Sequence, residues 1–363
     1  MKILHLIDSL DFGGAQIVVK NIFEKSASND IFLLALRKTD RTITILHPNI
    51  ISHDSQSRYS PFPLFQIQQI IKRENIDILH CHLFRSQVFG WFVKIFFCPK
   101  VKLVFHEHGQ IFGTDTGNLL EDKLFLLFLK LAKNKVDSFI AVSKMTRSKL
   151  MARANIDYQK ITILYNPVDL KQFNKQFSVG KKNANMFIVG FAGRLVERKG
   201  IEVYLEAIEK ILKKYDNIMF LIAGDGPKKS KVINFISQLN HSDKVRYLGY
   251  IQDMPEFYSK LDCLVIPSWW EAMPMVVIET QMAGVPIIVS YIDAFKELIT
   301  NNHNGIFFES ENVRDLVNKI ELLLKDKDLR EKIIYNAYKT LHNFDILNYL
   351  PKLEQLYSSI KGS

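Results

Sequence analysis

The sequence predicts an α/β protein built as two doubly wound halves, each a parallel sheet with helices on both faces. Short β-branched runs alternate with longer helical patterns along almost the whole chain, and such alternation marks a parallel sheet joined by crossover helices. The alternation breaks once, in a polar stretch from Asn166 to Asn185, and then restarts. A chain of 363 residues, 47% of them hydrophobic, exceeds what one core organises and is able to fill two.

The first half opens on the apolar run Ile3–Ile7, followed by a helical pattern to about Ser26. Further strands are predicted at Ile31–Leu36, Ile43–Leu46, Ile76–Cys81, Val101–Phe105, Ser138–Val142 and Ile161–Leu164. Within the polar break, Gly180-Lys181-Lys182-Asn183 is the most linker-like part. The second half places strands at Phe187–Ala192, Ile218–Ala223, Val245–Leu248, Cys263–Ile266, Pro286–Val289 and Gly305–Phe308. The last helical pattern, Ile346–Ile360, has no place in the second sheet and is expected to cross back to the first. The expected domains are therefore 1–170, 171–345 and a returning helix at 346–363.

Three scattered cysteines, Cys81, Cys98 and Cys263, give neither a disulfide framework nor a Cys-x-x-Cys metal site, so a reducing cytoplasm is expected. The first apolar run is broken by Asp8 and Asp11 and reads as a buried strand, not a signal peptide. No apolar run approaches the roughly 20 residues of a spanning helix. Of the net charge of +10, residues 1–165 carry +8, from 22 Lys+Arg against 14 Asp+Glu. That excess, together with Leu119–Lys135, which is apolar around most of its circumference and flanked by Lys123, Lys130, Lys133 and Lys135, fits two readings. One is a peripheral contact with an anionic membrane face; the other is a buried helix with a lysine-capped end. Clustered arginines and aromatics of a nucleic-acid module are lacking, so no nucleic-acid partner is expected.

In open parallel sheets ligands sit beyond the carboxyl ends of the strands, which makes the following turns the candidates. After the first strand, Gly13 and Gly14 open a helix; there the backbone is able to approach an anion, although a tight turn alone explains a glycine pair. After Phe187–Ala192 comes Gly193-Arg194-Leu195-Val196-Glu197-Arg198-Lys199-Gly200. Arg194 supplies a rigid fork for phosphate oxygens and Lys199 a point charge, a pairing suited to a diphosphate. Gly224-Asp225-Gly226-Pro227 follows the next strand, where glycines permit close approach to a base or ribose and equally fit a purely structural turn. The strongest signal is Ser268-Trp269-Trp270-Glu271-Ala272-Met273-Pro274-Met275-Val276-Val277-Ile278-Glu279. It sets one carboxylate in a turn and one inside the helix that Pro274 starts, with free N–H groups around Met273 to Val276 facing the ligand side.

Through GGAQ near the start, GRLVERKG, AGDGP and EAMPMVVIE, the chain resembles the family-4 glycosyltransferases of the GT-B fold over nearly its whole length. The resemblance implies two Rossmann-like domains facing across a cleft and a retaining transfer of a hexose-type sugar from a nucleotide-diphosphate sugar, UDP-linked by expectation, to a hydroxyl of a glycan or lipid-linked glycan. It implies that Arg194 and Lys199 bind the donor diphosphate, Glu279 the ribose and Glu271 the sugar. Gly193, Gly224, Asp225, Gly226 and the backbone of Met273, Pro274, Met275 and Val276 complete the donor pocket, with Gly13 and Gly14 beside the phosphate. His108 is implied near the donor sugar, and the acceptor near His82, Arg85 and His106. The departure is Ala272-Met273-Pro274, where family members often carry Gly-Phe-Gly or Gly-Phe-Pro, a change that bears on sugar fit.

His80-Cys81-His82 and His106-Glu107-His108 each end a predicted strand. A satisfied structural histidine is one reading; a metal site is the other, since His-x-His on a strand sets both rings on one face. With no Asp-x-Asp loop, the resemblance implies no metal and no cofactor beyond the donor. Two rival functions stay open: a nucleotide-sugar epimerase or hydrolase on the same scaffold, which needs no acceptor, and a non-catalytic partner protein. Location is expected to be cytoplasmic, on the inner face of the membrane where the basic half meets it.

Overall fold

The computed structural model describes residues 1–11, 13–39, 43–52, 60–109, 111, 119–171 and 186–362. The linker-like Gly180 to Asn183 and Phe12 lie outside the described residues. The chain divides into one unit of Met1–Val168 with Phe344–Ser363 and a second of Asp169–Asn343.

In the first unit the strands are β1 (Ile3–Ile7), β2 (Ile31–Ala35), β3 (Ile50–Ser52), β4 (Ile78–His82), β5 (Lys102–Glu107), β6 (Ser138–Ala141) and β7 (Ile161–Ile163), in the order β3-β2-β1-β4-β5-β6-β7. In the second they are β8 (Phe187–Ala192), β9 (Ile218–Ala223), β10 (Val245–Gly249), β11 (Cys263–Ile266), β12 (Ile287–Ser290) and β13 (Ile306–Phe308), in the order β10-β9-β8-β11-β12-β13. Every ladder in both sheets is parallel. These are the two doubly wound sheets expected. The strand order reverses between β1 and β4 in one and between β8 and β11 in the other, the positions where such sheets open to a ligand.

The helix Gly14–Lys25 buries Ala15, Val18, Val19, Ile22 and Phe23, the spacing of one helical stripe. It covers the face of the first sheet that carries Ile3, Ile7, Ile78 and Val104. The helix Ile346–Lys361 packs on the same face through Ile346, Tyr349, Leu353, Leu356, Tyr357 and Ile360. Burial of such side chains contributes about 1.5–3 kcal/mol each relative to exposure, so this helix is an integral part of the first core. It enters through Val168 N–H to Phe344 O and Ile346 N–H to Val168 O, each 2.8 Å. Helices Phe62–Glu74, Phe84–Phe96 and Leu119–Ala132 cover the opposite face. In the second unit Ile201–Leu212 and Val313–Lys325 close the core around Phe191, Phe220 and Val265.

The third strand differs from expectation. Ile43–Leu46 is not in the sheet: Ile43 and Ile45 are buried in the core beside the Gly14–Lys25 helix, and Ile43 N–H reaches Leu10 O at 2.7 Å. Alternating Ile and Thr reads as strand because period two also describes an extended segment laid over a core. The edge strand is Ile50–Ser52, paired with Leu33 to Ala35.

Leu119–Ala132 buries Phe125, Leu129 and Ala132 but exposes Leu120, Leu124, Leu127 and Leu131 at 51–64%. The fully buried reading of this segment is therefore wrong: its apolar residues serve two faces, and only one meets the core.

Candidate active site

In the second unit, β8 and β11 are neighbours in the sheet although the helices and strands between them span some seventy residues. Their following turns are brought side by side. Lys199 forms a close ion pair with Glu271 Oε1, Arg198 lies 3.6 Å from Oε2, and Ser268 Oγ donates to Oε1 at 2.8 Å. Glu271 is buried, 6% exposed, and two cations and a hydroxyl surround its carboxyl, the compensation a buried acidic group needs. The Arg198 guanidinium stacks over Trp270 at 4.4 Å, and Trp269 N–H binds Arg198 O at 2.8 Å. Gly200 is left-handed, φ +66°, and a Cβ there would lie 2.0 Å from Pro267 O. No other residue permits this approach of the two turns.

Gly224 and Gly226 are likewise left-handed in φ, and Cβ atoms on them would lie 1.9 Å from Gly193 O and 2.7 Å from Leu195 O. Leu195 N–H binds Asp225 O at 2.9 Å and Gly193 N–H binds Ala223 O at 3.1 Å. The glycines thus let the turn after β9 lie against the turn after β8, which fixes the position of exposed Arg194. Of the two readings of Gly224-Asp225-Gly226, the structural one is visible directly.

The helix Met275–Met282 begins after Pro274, without a side-chain cap, so its first N–H groups are open to an outside acceptor. Ala272, Met273 and Met275 are buried and Val276 is half-buried. Glu279 lies one turn along, accepting from the buried Tyr258 hydroxyl at 2.9 Å. Burial raises the Glu279 carboxyl above its usual range, and the Tyr258 hydrogen bond pulls the other way.

In the first unit Gly13 caps the helix Gly14–Lys25 with extended backbone and no side-chain cap. Beside it Arg85 binds Asp8 Oδ1 at 3.0 Å and Arg37 binds Asp8 Oδ2 at 3.0 Å and Asp11 at 3.4 Å. Leu83, between His82 and Arg85, holds φ +71°, a strained value for a branched residue and one that re-aims the chain at the β4 end. Glu107 Oε1 accepts from Gly109 and Ile111 N–H, each 2.9 Å, and so ties down the turn that bears His108. His82 Nδ1 meets His108 Nε2 at 3.0 Å, and His106 stacks on His108 at 4.0 Å.

The structure thus gathers Lys199 with Glu271, and His82 with His106 and His108. Arg85 is drawn instead to Asp8, and Arg194 stands outside the Glu271 cluster. Sequence reasoning passes over Arg198 and Ser268, because strand order, and so the meeting of the two turns, is not written in spacing. It also passes over His5, 3.0 Å from His82. The available signal for His5 is a polar residue at the centre of the apolar run Ile3–Ile7. Among the described residues no helix is long and apolar enough to cross a membrane.

Comparison with known proteins follows this division. Residues 12–172 match the family model Glycosyltransferase Family 4, and residues 172–340 match Glycosyl transferases group 1. The UDP-Gal:alpha-D-GlcNAc-diphosphoundecaprenol alpha-1,3-galactosyltransferase of Escherichia coli is 26% identical over 81% of this chain and 78% of its own length. A Campylobacter jejuni enzyme, GalNAc-alpha-(1->4)-GalNAc-alpha-(1->3)-diNAcBac-PP-undecaprenol alpha-1,4-N-acetyl-D-galactosaminyltransferase, is 24% identical over 100% of both chains. Among solved structures, Anabaena HepE in complex with UDP and glucose superposes with a TM-score of 0.80 at 20% identity, over 99% of this chain and 100% of that one.

Proposed function

The chain belongs to the family-4 glycosyltransferases of the GT-B fold, and from that premise we propose that it moves a hexose-type sugar from UDP to a hydroxyl of a lipid-linked glycan, with retention of anomeric configuration. The observation that carries the reading is Glu271 held by Lys199, Arg198 and Ser268 at the reversal between β8 and β11. Two cations against one carboxylate leave a positive excess where a leaving diphosphate gains charge.

In this reading Arg194 and Lys199 hold the diphosphate, the backbone from Met273 to Val276 reinforces them, Glu271 accepts from the sugar hydroxyls and Glu279 from the ribose. Gly193, Gly224, Asp225 and Gly226 shape the floor under base and ribose. The acceptor oxygen attacks the anomeric carbon on the face the diphosphate leaves; the bond from that carbon to the β-phosphate oxygen breaks, and the acceptor proton passes to that oxygen. In the first unit, His108 is assigned to the donor sugar and Arg85 to the acceptor side, and Gly13-Gly14 to an anion; His82 and His106 are fully buried and stand behind them. UDP is favoured because the Escherichia coli relative is named for UDP-Gal and the Anabaena structure holds UDP. A thermal-shift screen with UDP, GDP, ADP and CMP and their sugars tests this. At a hundred times its Kd, UDP should add about 2.7 kcal/mol and raise the melting temperature by roughly 5–10 °C. A larger shift with another nucleotide reassigns the base, and no shift with any overturns the donor site.

Peripheral attachment to an anionic bilayer is part of the same proposal. The exposed row Leu120, Leu124, Leu127 and Leu131 shares its helix with exposed Lys123 and Lys130; Phe92 and Phe96 are exposed on the helix packed beside it, and Phe62 and Phe65 on the helix that packs on that one in turn. Apolar side chains flanked by lysines match a surface that is hydrocarbon below and anionic above. Vesicles containing phosphatidylglycerol should co-sediment the protein more than neutral ones, and Leu124→Glu with Leu127→Glu should release it. Equal partition onto both vesicle types would exclude the electrostatic part.

A further inference from the structure

Five imidazoles lie on one face of the first sheet. His5 pairs in register with His80, and His82 with His106, so the parallel strands stack their rings across the ladder, and His108 extends the row past the end of β5. Four of them, His5, His80, His82 and His106, are fully buried. No carboxylate is hydrogen-bonded to any of these rings among the described residues. Neutral imidazole offers one lone pair and one N–H, and the observed bonds show how these are distributed. Tyr357 Oη lies 2.6 Å from His80 Nδ1 and 3.4 Å from His5 Nε2. The shorter contact suits the phenol as donor, which leaves the hydroxyl to accept from His5 Nε2–H. His5 Nδ1 is then an acceptor, and it takes the His82 Nε2–H at 3.0 Å. The chain ends with the lone pair on His82 Nδ1, which accepts from His108 Nε2–H at 3.0 Å and is released to an ion that takes the place of that proton.

His106 has no hydrogen-bond partner on either ring nitrogen among the described residues, although it is fully buried. A buried imidazole without a partner is an exception in folded proteins, and this one lies beside the lone pair of His82 and against the ring of His108. His82, His106 and His108 each offer a nitrogen within 4.8 Å of the other two. His5, His80 and His82 do the same, but neutral His82 cannot ligate in both groups, and its Nε2 is committed to His5. We propose that His82, His106 and His108 form a binding site for a first-row divalent transition ion of the zinc class, with His5 and Tyr357 as the outer partners that orient His82.

Three neutral imidazoles with an open fourth position make a recognised set for such an ion. Metal-bound histidines hand their other N–H to an acceptor, as His82 does to His5. His108, partly exposed, gives the ion a way in. Its Nδ1 stays clear of the metal, so the site goes beyond the donor reading without displacing it.

The test uses untagged full-length protein, stripped with a chelator and titrated with Co2+ alone. One equivalent should bind, with the intense visible absorption of a four-coordinate ion, and Zn2+ should displace it. His106→Phe keeps an aromatic ring in the stack and removes the ligand; it should lose the equivalent, whereas His80→Phe should keep it. Far-UV circular dichroism and the melting transition of the first unit should be retained in both variants and certify their folding. Absence of a stoichiometric site in the wild type, or undiminished binding by His106→Phe, overturns the proposal. Should both variants misfold, the wild-type Co2+ spectrum decides: a six-coordinate or absent signal rejects the site.

Discussion

Lys199→Ala is expected to lower the transfer rate by roughly 100- to 1,000-fold, the loss that follows removal of one preorganised group from a developing anion, while the fold survives. The surroundings explain both halves of the expectation. With Lys199 gone, Glu271 still has Arg198 at 3.6 Å and the Ser268 hydroxyl at 2.8 Å, so no buried charge is stranded. What disappears is the positive excess: Arg198 then balances Glu271, and the turn offers the diphosphate little besides Arg194. Glu271→Ala should cost a similar factor by another route, because it frees two partly exposed cations and removes the acceptor for the sugar. The residues act as one cluster, so the double variant should be no slower than the poorer single variant. Steady-state rates with a UDP-sugar and far-UV circular dichroism of the variants check this. Near-normal turnover by either single variant would overturn the assignment of the site.

How far this cluster was legible in the sequence depends on what spacing encodes. Each turn could be found alone, because glycine, proline and charge at the end of a β-branched run have local causes. The two sheets were legible for the same reason, since alternation is a local property of buried parallel strands. Adjacency is not local. Nothing in the sequence between Gly193 and Glu271 says that β11 lies against β8 while β9 and β10 lie to the other side. Arg198 was therefore passed over, and its contact with Glu271 became visible only with the strand order. His5 was hidden similarly, as its hydrogen-bond partners come from β4 and from a helix more than three hundred residues away. Ile43–Leu46 failed in the opposite direction: its period was real, but an edge strand and an extended cover share that period. In the Leu119–Ala132 helix the apolar residues that meet the core and those that stay exposed are the same residue types, so only packing tells them apart.

Acid should unfold the first unit of chelator-stripped protein sharply between about pH 6.5 and pH 5. His5 is pushed down to about 3 by burial, and His80, His82 and His106 are held well below their ordinary value by burial and by one another. In the unfolded chain each titrates near 6.5. Below that pH the unfolded state binds protons that the folded state refuses, so stability falls as pH falls; above about 6.5 neither state binds them and the contribution is complete. Each such ring adds to the loss as the pH falls through the unfolded value near 6.5, and together they concentrate the acid sensitivity in the first unit. The second unit has no comparable set among its described residues, and its raised Glu279 works in the reverse sense: a carboxyl with a folded pKa above its unfolded one adds stability that is lost as pH rises. Melting followed from pH 8 to pH 5 should therefore separate into two transitions, with the first unit's falling steeply. His80→Phe, which deletes one refused proton, should flatten that fall. Parallel decline of both transitions, or an unchanged slope in the variant, would assign the acid sensitivity elsewhere.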